Sequence, residues 1–121
     1  NVNIDVPRFQ QRLAQIAQSN NLLFSDPRSA LARQQIDAIT RDLQNGQTSV
    51  KSAMNMYDGV NAAKRNHQMF QMSRTDQNFA RKAIDEVRNA VRDEIRRKDI
   101  FEHDLNRRMY NINPYTGNVI F

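Results

Sequence analysis

The chain has 121 residues and a mass of 14.1 kDa, which fits a single domain or a fragment of a larger protein. Hydrophobic residues are 39% and mean hydropathy is -0.80; with no Cys and no Trp, a disulfide scaffold, a zinc knuckle and a catalytic thiol are excluded. Eighteen basic against thirteen acidic side chains give +5 and a pI near 10.1, and no apolar run approaches the ~18–20 residues of a membrane helix.

The first residues, Asn-Val-Asn-Ile-Asp-Val, carry no signal-peptide pattern. The absence of an initial Met is expected of a processed start or of a piece of a longer chain. Val2, Ile4 and Val6 alternate with polar residues, as in a short strand or extended arm. Pro7 opens a first helix over 7–20, with Phe9, Leu13, Ile16 and Ala17 on one face. Asn20-Asn21 ends it, and Leu22-Leu23-Phe24 forms an apolar link. Ser25 or Asp26 caps a second helix over 26–45, where Pro27 is tolerated because the first turn needs no amide donor. Ala32, Ile36, Ile39 and Leu43 make its stripe, and Asn45-Gly46 supplies the stop.

Thr48 or Ser49 caps a third helix expected over 49–73. Val50, Ala53, Tyr57 and Val60 form its inner stripe, broadened by Met54 and Met56. Asp58-Gly59 interrupts it, which reads as a kink or as a close contact with another helix. Ser73 to Asp76 provides a fresh cap or is passed unbroken. Residues 76–110 contain neither Gly nor Pro and predict a helix roughly 50 Å long. Its apolar face is Ala80, Ile84, Val87, Val91 and Ile95, continuing less regularly through Phe101, Leu105 and Met109. In residues 111–121, a Pro114-Tyr115-Thr116-Gly117 turn signal separates short β-prone runs, so this end reads as an extended arm. The expected fold is therefore all-α: one helical domain over 1–121, three to four amphipathic helices, the last long, with short extended arms at both ends.

Catalysis finds little support in the sequence, and the chain is expected not to be an enzyme. His67 and His103 lie on different segments without clustered ligands, so no metal and no cofactor are expected. The nucleotide-binding, hydrolase and metalloprotease motifs are absent. Asp85-Glu86 and Asp93-Glu94 are adjacent on a helix, point apart and are flanked by Arg, as in surface ion pairs.

The basic set is lopsided, with 14 Arg against 4 Lys. Arginine grips phosphate or carboxylate through a planar fork. Arg88, Arg92 and Arg96 are spaced i, i+4, i+8 on one helical face, and Arg81 approaches the same stripe. Such like charges repel unless something compensates them. Phosphates, acids on a neighbouring subunit, or local neutralisation by Asp85, Asp93, Asp99 and Glu102 would all serve. No base-reading module is evident, so a nucleic-acid contact would be to the backbone. Met54, Met56, Met69 and Met72 suit either a core or a helix–helix interface. Val119, Ile120 and Phe121 form a candidate partner-binding end, packing either on the arm of Val2, Ile4 and Val6 or on a neighbouring protein. The apolar stripes are narrow for a self-contained core, so homo-oligomerisation is expected.

The Arg/Gln/Asn-rich amphipathic helices (14 Asn and 11 Gln), the lack of Cys and the Asn-Pro-Tyr-Thr-Gly-Asn-Val-Ile-Phe tail resemble the virion proteins of tailed bacteriophages. Within that group the chain is most similar to the small helical internal core or ejection proteins of short-tailed phages. The resemblance implies a homo-oligomeric ring or tube at the portal vertex, in contact with other virion proteins. It also implies that the assembly leaves with the genome and helps form a DNA conduit. Localisation to the virion, or to the host cytoplasm during assembly, follows from it, without direct membrane insertion or a small-molecule substrate. An oligomeric DNA-binding or packaging protein and a helical partner-binding domain of a bacterial effector are the alternative readings.

Overall fold

The computed structural model describes residues 3–110 in backbone and residues 3–97 in side chain. It is all-α, with helices α1 (Val6–Ser19), α2 (Pro27–Gln44), α3 (Val50–Ala63), the single turn α4 (His67–Phe70) and the long α5 (Arg74–Tyr110). Each start has a local chemical cause. Asp5, Asp26, Ser49 and Asn66 each accept a backbone amide of the first turn that follows. Ser73 does the same for the amide of Asp76 at 3.2 Å, so the expected cap there is fresh rather than bypassed. Prolines stand in the first turns of α1 and α2. Gly46, at φ +84°, takes the left-handed conformation that ends the second helix region.

Two expectations for the third helix are corrected. It ends at Ala63 rather than at residue 73, and Lys64 to Asn66 redirect the chain before α4. Asn66 supplies the physical reason: its side chain accepts the Gln68 amide and starts a new turn in place of continuation. Gly59 neither breaks the helix nor admits a neighbour, because α3 runs through it and a Cβ there would meet nothing. The N-terminal arm is also shorter than expected. Val6 already belongs to α1; Asn3 makes one isolated bridge to Ser49, and the Ile4 amide donates to the Thr48 carbonyl at 2.6 Å. The C-terminal arm, including Val119, Ile120 and Phe121, lies outside the described residues.

The four longer helices alternate in direction. Arg12 and Asn20 of α1 meet Asp93 and Glu86 of α5, while Met54 of α3 lies near Ile95 and Lys64 after α3 meets Asp85, so α1 and α3 both run antiparallel to α5. The α2–α3 turn makes α2 antiparallel to α3 and so co-directional with α5. α2 and α5 form the central pair, flanked by α1 and α3, which do not touch each other among the described residues. The core runs along this pair: Ala32, Ile36, Ile39 and Leu43 face Ala80, Ile84, Val87 and Val91. Phe9, Leu13 and Ile16 close one side, and Ala53, Met56 and Val60 the other.

The buried face of α5 is wider than the expected stripe, because Ala83 and Ala90 are buried with it. Their small side chains let helices approach on a second edge, and the described residues therefore enclose one continuous core. The methionines divide: Met56 and Met69 are core, Met72 packs partly against it, and Met54 is exposed.

Candidate interaction surface

The outward side of α5 lies between α1 and α3, and there the arginine stripe is found. Arg88 comes within 3.8 Å of Asp85, and Arg92 within 3.6 Å of Asp93. Their side chains keep 28% and 42% of their exposure, so neither guanidinium stands free in water. Asp85 is held more closely by Lys64, at 2.6 Å. Arg96 is exposed and makes no ion pair with a described residue. Arg81 leaves the group: it is exposed, and its guanidinium sits 6.0 Å from the centre of the Phe70 ring. The structure thus brings Arg88, Arg92 and Arg96 onto one line and sets Arg81 against α4. Residues 119–121, the other candidate element, fall outside the described residues.

The line has walls. On the α3 side, Met54, Tyr57, Asp58, Arg92, Ile95 and Arg96 enclose a cleft of about 360 Å³, mostly apolar in lining. On the α1 side, Arg12, Gln15, Ser19, Glu86 and Asn89 line a second cleft of about 260 Å³. Asn89 and Arg92 are one turn apart, so the two clefts adjoin across the floor of α5. Four polar atoms along this face are buried, Asp85 Oδ1, Arg88 Nε, Asn89 Oδ1 and Arg92 Nε; Asp85 Oδ1 is met by the Lys64 ammonium at 2.6 Å, and the other three have no hydrogen-bond partner among the described residues. Buried donors and acceptors normally find partners, and leaving each one unmade costs about 1–3 kcal/mol.

A second polar feature escaped the sequence reading. Glu94, only 6% exposed, accepts the backbone amide of Asp5 at 3.3 Å and the Arg97 guanidinium at 2.5 Å. It ties the N-terminal arm to α5. Arg12 with Asp93 at 2.8 Å and Asn20 with Glu86 extend the seam along α1. A signal for Glu94 was present, because it follows Val87 and Val91 at helical spacing and so falls on the apolar face. Arg97 stands three residues on, within helical reach, but the Asp5 amide was not legible as a partner, since residues 5 and 94 are distant in sequence.

Aromatic rings form a third feature, near the start of α5. Arg28 lies 4.8 Å from the Phe79 ring centre and Arg33 lies 5.6 Å from that of Phe24. Leu23, Phe24 and Phe70 remain exposed. Arg28 also holds Asp26, whose carboxyl is pulled below its ordinary value by the Arg28 side-chain and backbone hydrogen bonds.

Among the described residues, no group of three or more His, Cys, Asp or Glu could hold a metal ion, and no helix is long and apolar enough to cross a membrane. No protein-family model matches the chain, and no curated protein and no solved structure matches it.

Proposed function

We propose that this chain is a structural assembly protein that works through helix surfaces. In this reading it is a homo-oligomeric component of a phage virion near the portal, assisting genome ejection or lining a DNA conduit. The observation that carries the reading is α5. It runs as one helix of 37 residues, from Arg74 to Tyr110. Its last turns keep apolar residues at Ile100, Phe101, Leu105 and Met109, a pattern that suits a helix meeting another protein surface. The virion setting rests on the resemblance of composition and tail sequence. Sedimentation of the full chain and of a Phe101→Ser, Leu105→Ser variant tests it: the native chain associates and the variant is monomeric. A native chain that stays monomeric at every concentration would end this reading.

A second reading, an oligomeric protein that binds the DNA backbone without sequence preference, is favoured by one observation. Arg65, Arg74, Arg81 and Lys82 are exposed near the start of α5, and none of them makes an ion pair with a described residue. Replacing Arg65, Arg74 and Lys82 by Gln should reduce the salt slope of duplex binding by about three phosphate contacts. An unchanged slope would remove this patch from consideration.

A further inference from the structure

We propose that the end of the bundle at which α2 and α5 begin docks on the surface of an anionic phospholipid bilayer, with Leu23, Phe24 and Phe70 entering its interface. This contact is independent of the oligomeric reading above.

Charge points to an anionic partner. The stretches 20–34 and 64–82 hold seven basic side chains against two acidic, and the rest of the sequence is balanced at eleven of each, so the whole +5 falls here. Both stretches lie at one end of the bundle, because α1 and α3 end there and α2 and α5 start there. Arg28 is held by Asp26 and Lys64 by Asp85. Arg33, Arg65, Arg74, Arg81 and Lys82 make no ion pair with a described residue. A second copy complements this end poorly: two such ends repel, and the rest of the chain offers no net negative charge.

Apolar exposure selects a bilayer among anionic partners. Leu23, Phe24 and Phe70 are each more than half exposed. A nucleic-acid backbone would meet the cations and leave these three side chains in water. The cleft at this end, between α2 and α4, is lined by apolar side chains such as Leu31 and Met72 and by three glutamines, with no charged residue, so it offers a strand no basic groove. The exposed apolar side chains stand on separate turns, the α1–α2 link and α4, as points that a deformable surface can receive. Each ring carries its own cation: Arg33 lies 5.6 Å from the centre of Phe24, and Arg81 6.0 Å from that of Phe70. A ring entering the acyl boundary thus brings a guanidinium to the depth of the headgroup phosphates.

The chain has no Trp, so Phe24→Trp gives the full chain a single fluorescent reporter. The probes are vesicles of phosphatidylcholine, alone or mixed with phosphatidylglycerol, and a DNA duplex. The expected result is flotation with the mixed vesicles and not with phosphatidylcholine alone, with a blue shift of the reporter's emission. Arg74→Gln with Lys82→Gln should weaken that binding about thirtyfold. Leu23→Ser with Phe70→Ser should weaken it about tenfold or more, at unchanged circular dichroism. If the serine variant loses helix content, the reporter and the charge variant still decide. No flotation with the mixed vesicles, flotation without a blue shift, or equal flotation with phosphatidylcholine alone would each overturn the proposal. Binding to the duplex but not to vesicles would overturn it and leave this surface to the second reading above.

Discussion

Glu94 is the residue on which the N-terminal arm depends most directly. A carboxylate this buried is retained only with partners, and its two described partners are the Asp5 amide and Arg97. Glu94→Ala leaves the Asp5 amide without an acceptor and should lower stability by about 1–3 kcal/mol in urea unfolding. An unchanged midpoint would show that the buried Ile4 side chain and the backbone contacts to Thr48 and Ser49 hold the arm without Glu94. Asp26 gives a prediction in pH. Its carboxyl titrates below the ordinary 3.8 because it holds the Arg28 guanidinium and, next, accepts the Arg28 amide as the cap of α2. The folded value is thus the lower one, so this contribution is complete above about pH 3.8 and is lost as pH falls through the lowered value. An NMR titration of Asp26 in the native chain should place its midpoint under that of an unstructured Asp, and Arg28→Gln should bring it back up. A midpoint at or above 3.8 would contradict the cap geometry.

At the scale of elements, glycine positions separate what the sequence reveals from what only packing decides. Gly46 has φ +84°, and Ala there should destabilise by about 1 kcal/mol. Gly59 lies mid-helix with open space where a Cβ would stand, so Gly59→Ala should stabilise by about 0.5–1 kcal/mol. Thermal unfolding of both variants checks the pair, and destabilisation by Gly59→Ala would revive the close-contact reading. The starts of α1 and α2 were legible to within a residue because Pro7, Asp26 and Pro27 act on their own neighbours, whereas Asp5, the cap of α1, was hidden in what reads as an extended arm. The end of α3 was not, because Lys64-Arg65-Asn66 contains neither Gly nor Pro and the deciding hydrogen bond comes from Asn66 two residues on. The core of α5 was legible as far as its large residues show. Ala83 and Ala90 carry too little hydrophobicity to declare a face until another helix is placed on it. The arginine line was legible by spacing alone. Its half-burial was not, since that depends on α1 and α3 standing on either side.

For the whole molecule, the enclosed core revises the reason for expecting association. Narrow stripes do not force this chain to oligomerise, because α2 and α5 bury their faces against each other and against α1 and α3. Ile84, fully buried where these elements meet, should cost about 2–5 kcal/mol when replaced by Ala, and all helices should then melt earlier together. Circular dichroism showing separate transitions would contradict a single core. The proposed association draws instead on α5, which runs as one helix to Tyr110. The most direct test of that claim is sedimentation of the native full chain across a wide concentration range. The expected result is a mass that rises to a multiple of 14.1 kDa while helix content stays constant. A cooperative, fully folded species that holds at 14.1 kDa throughout would contradict it.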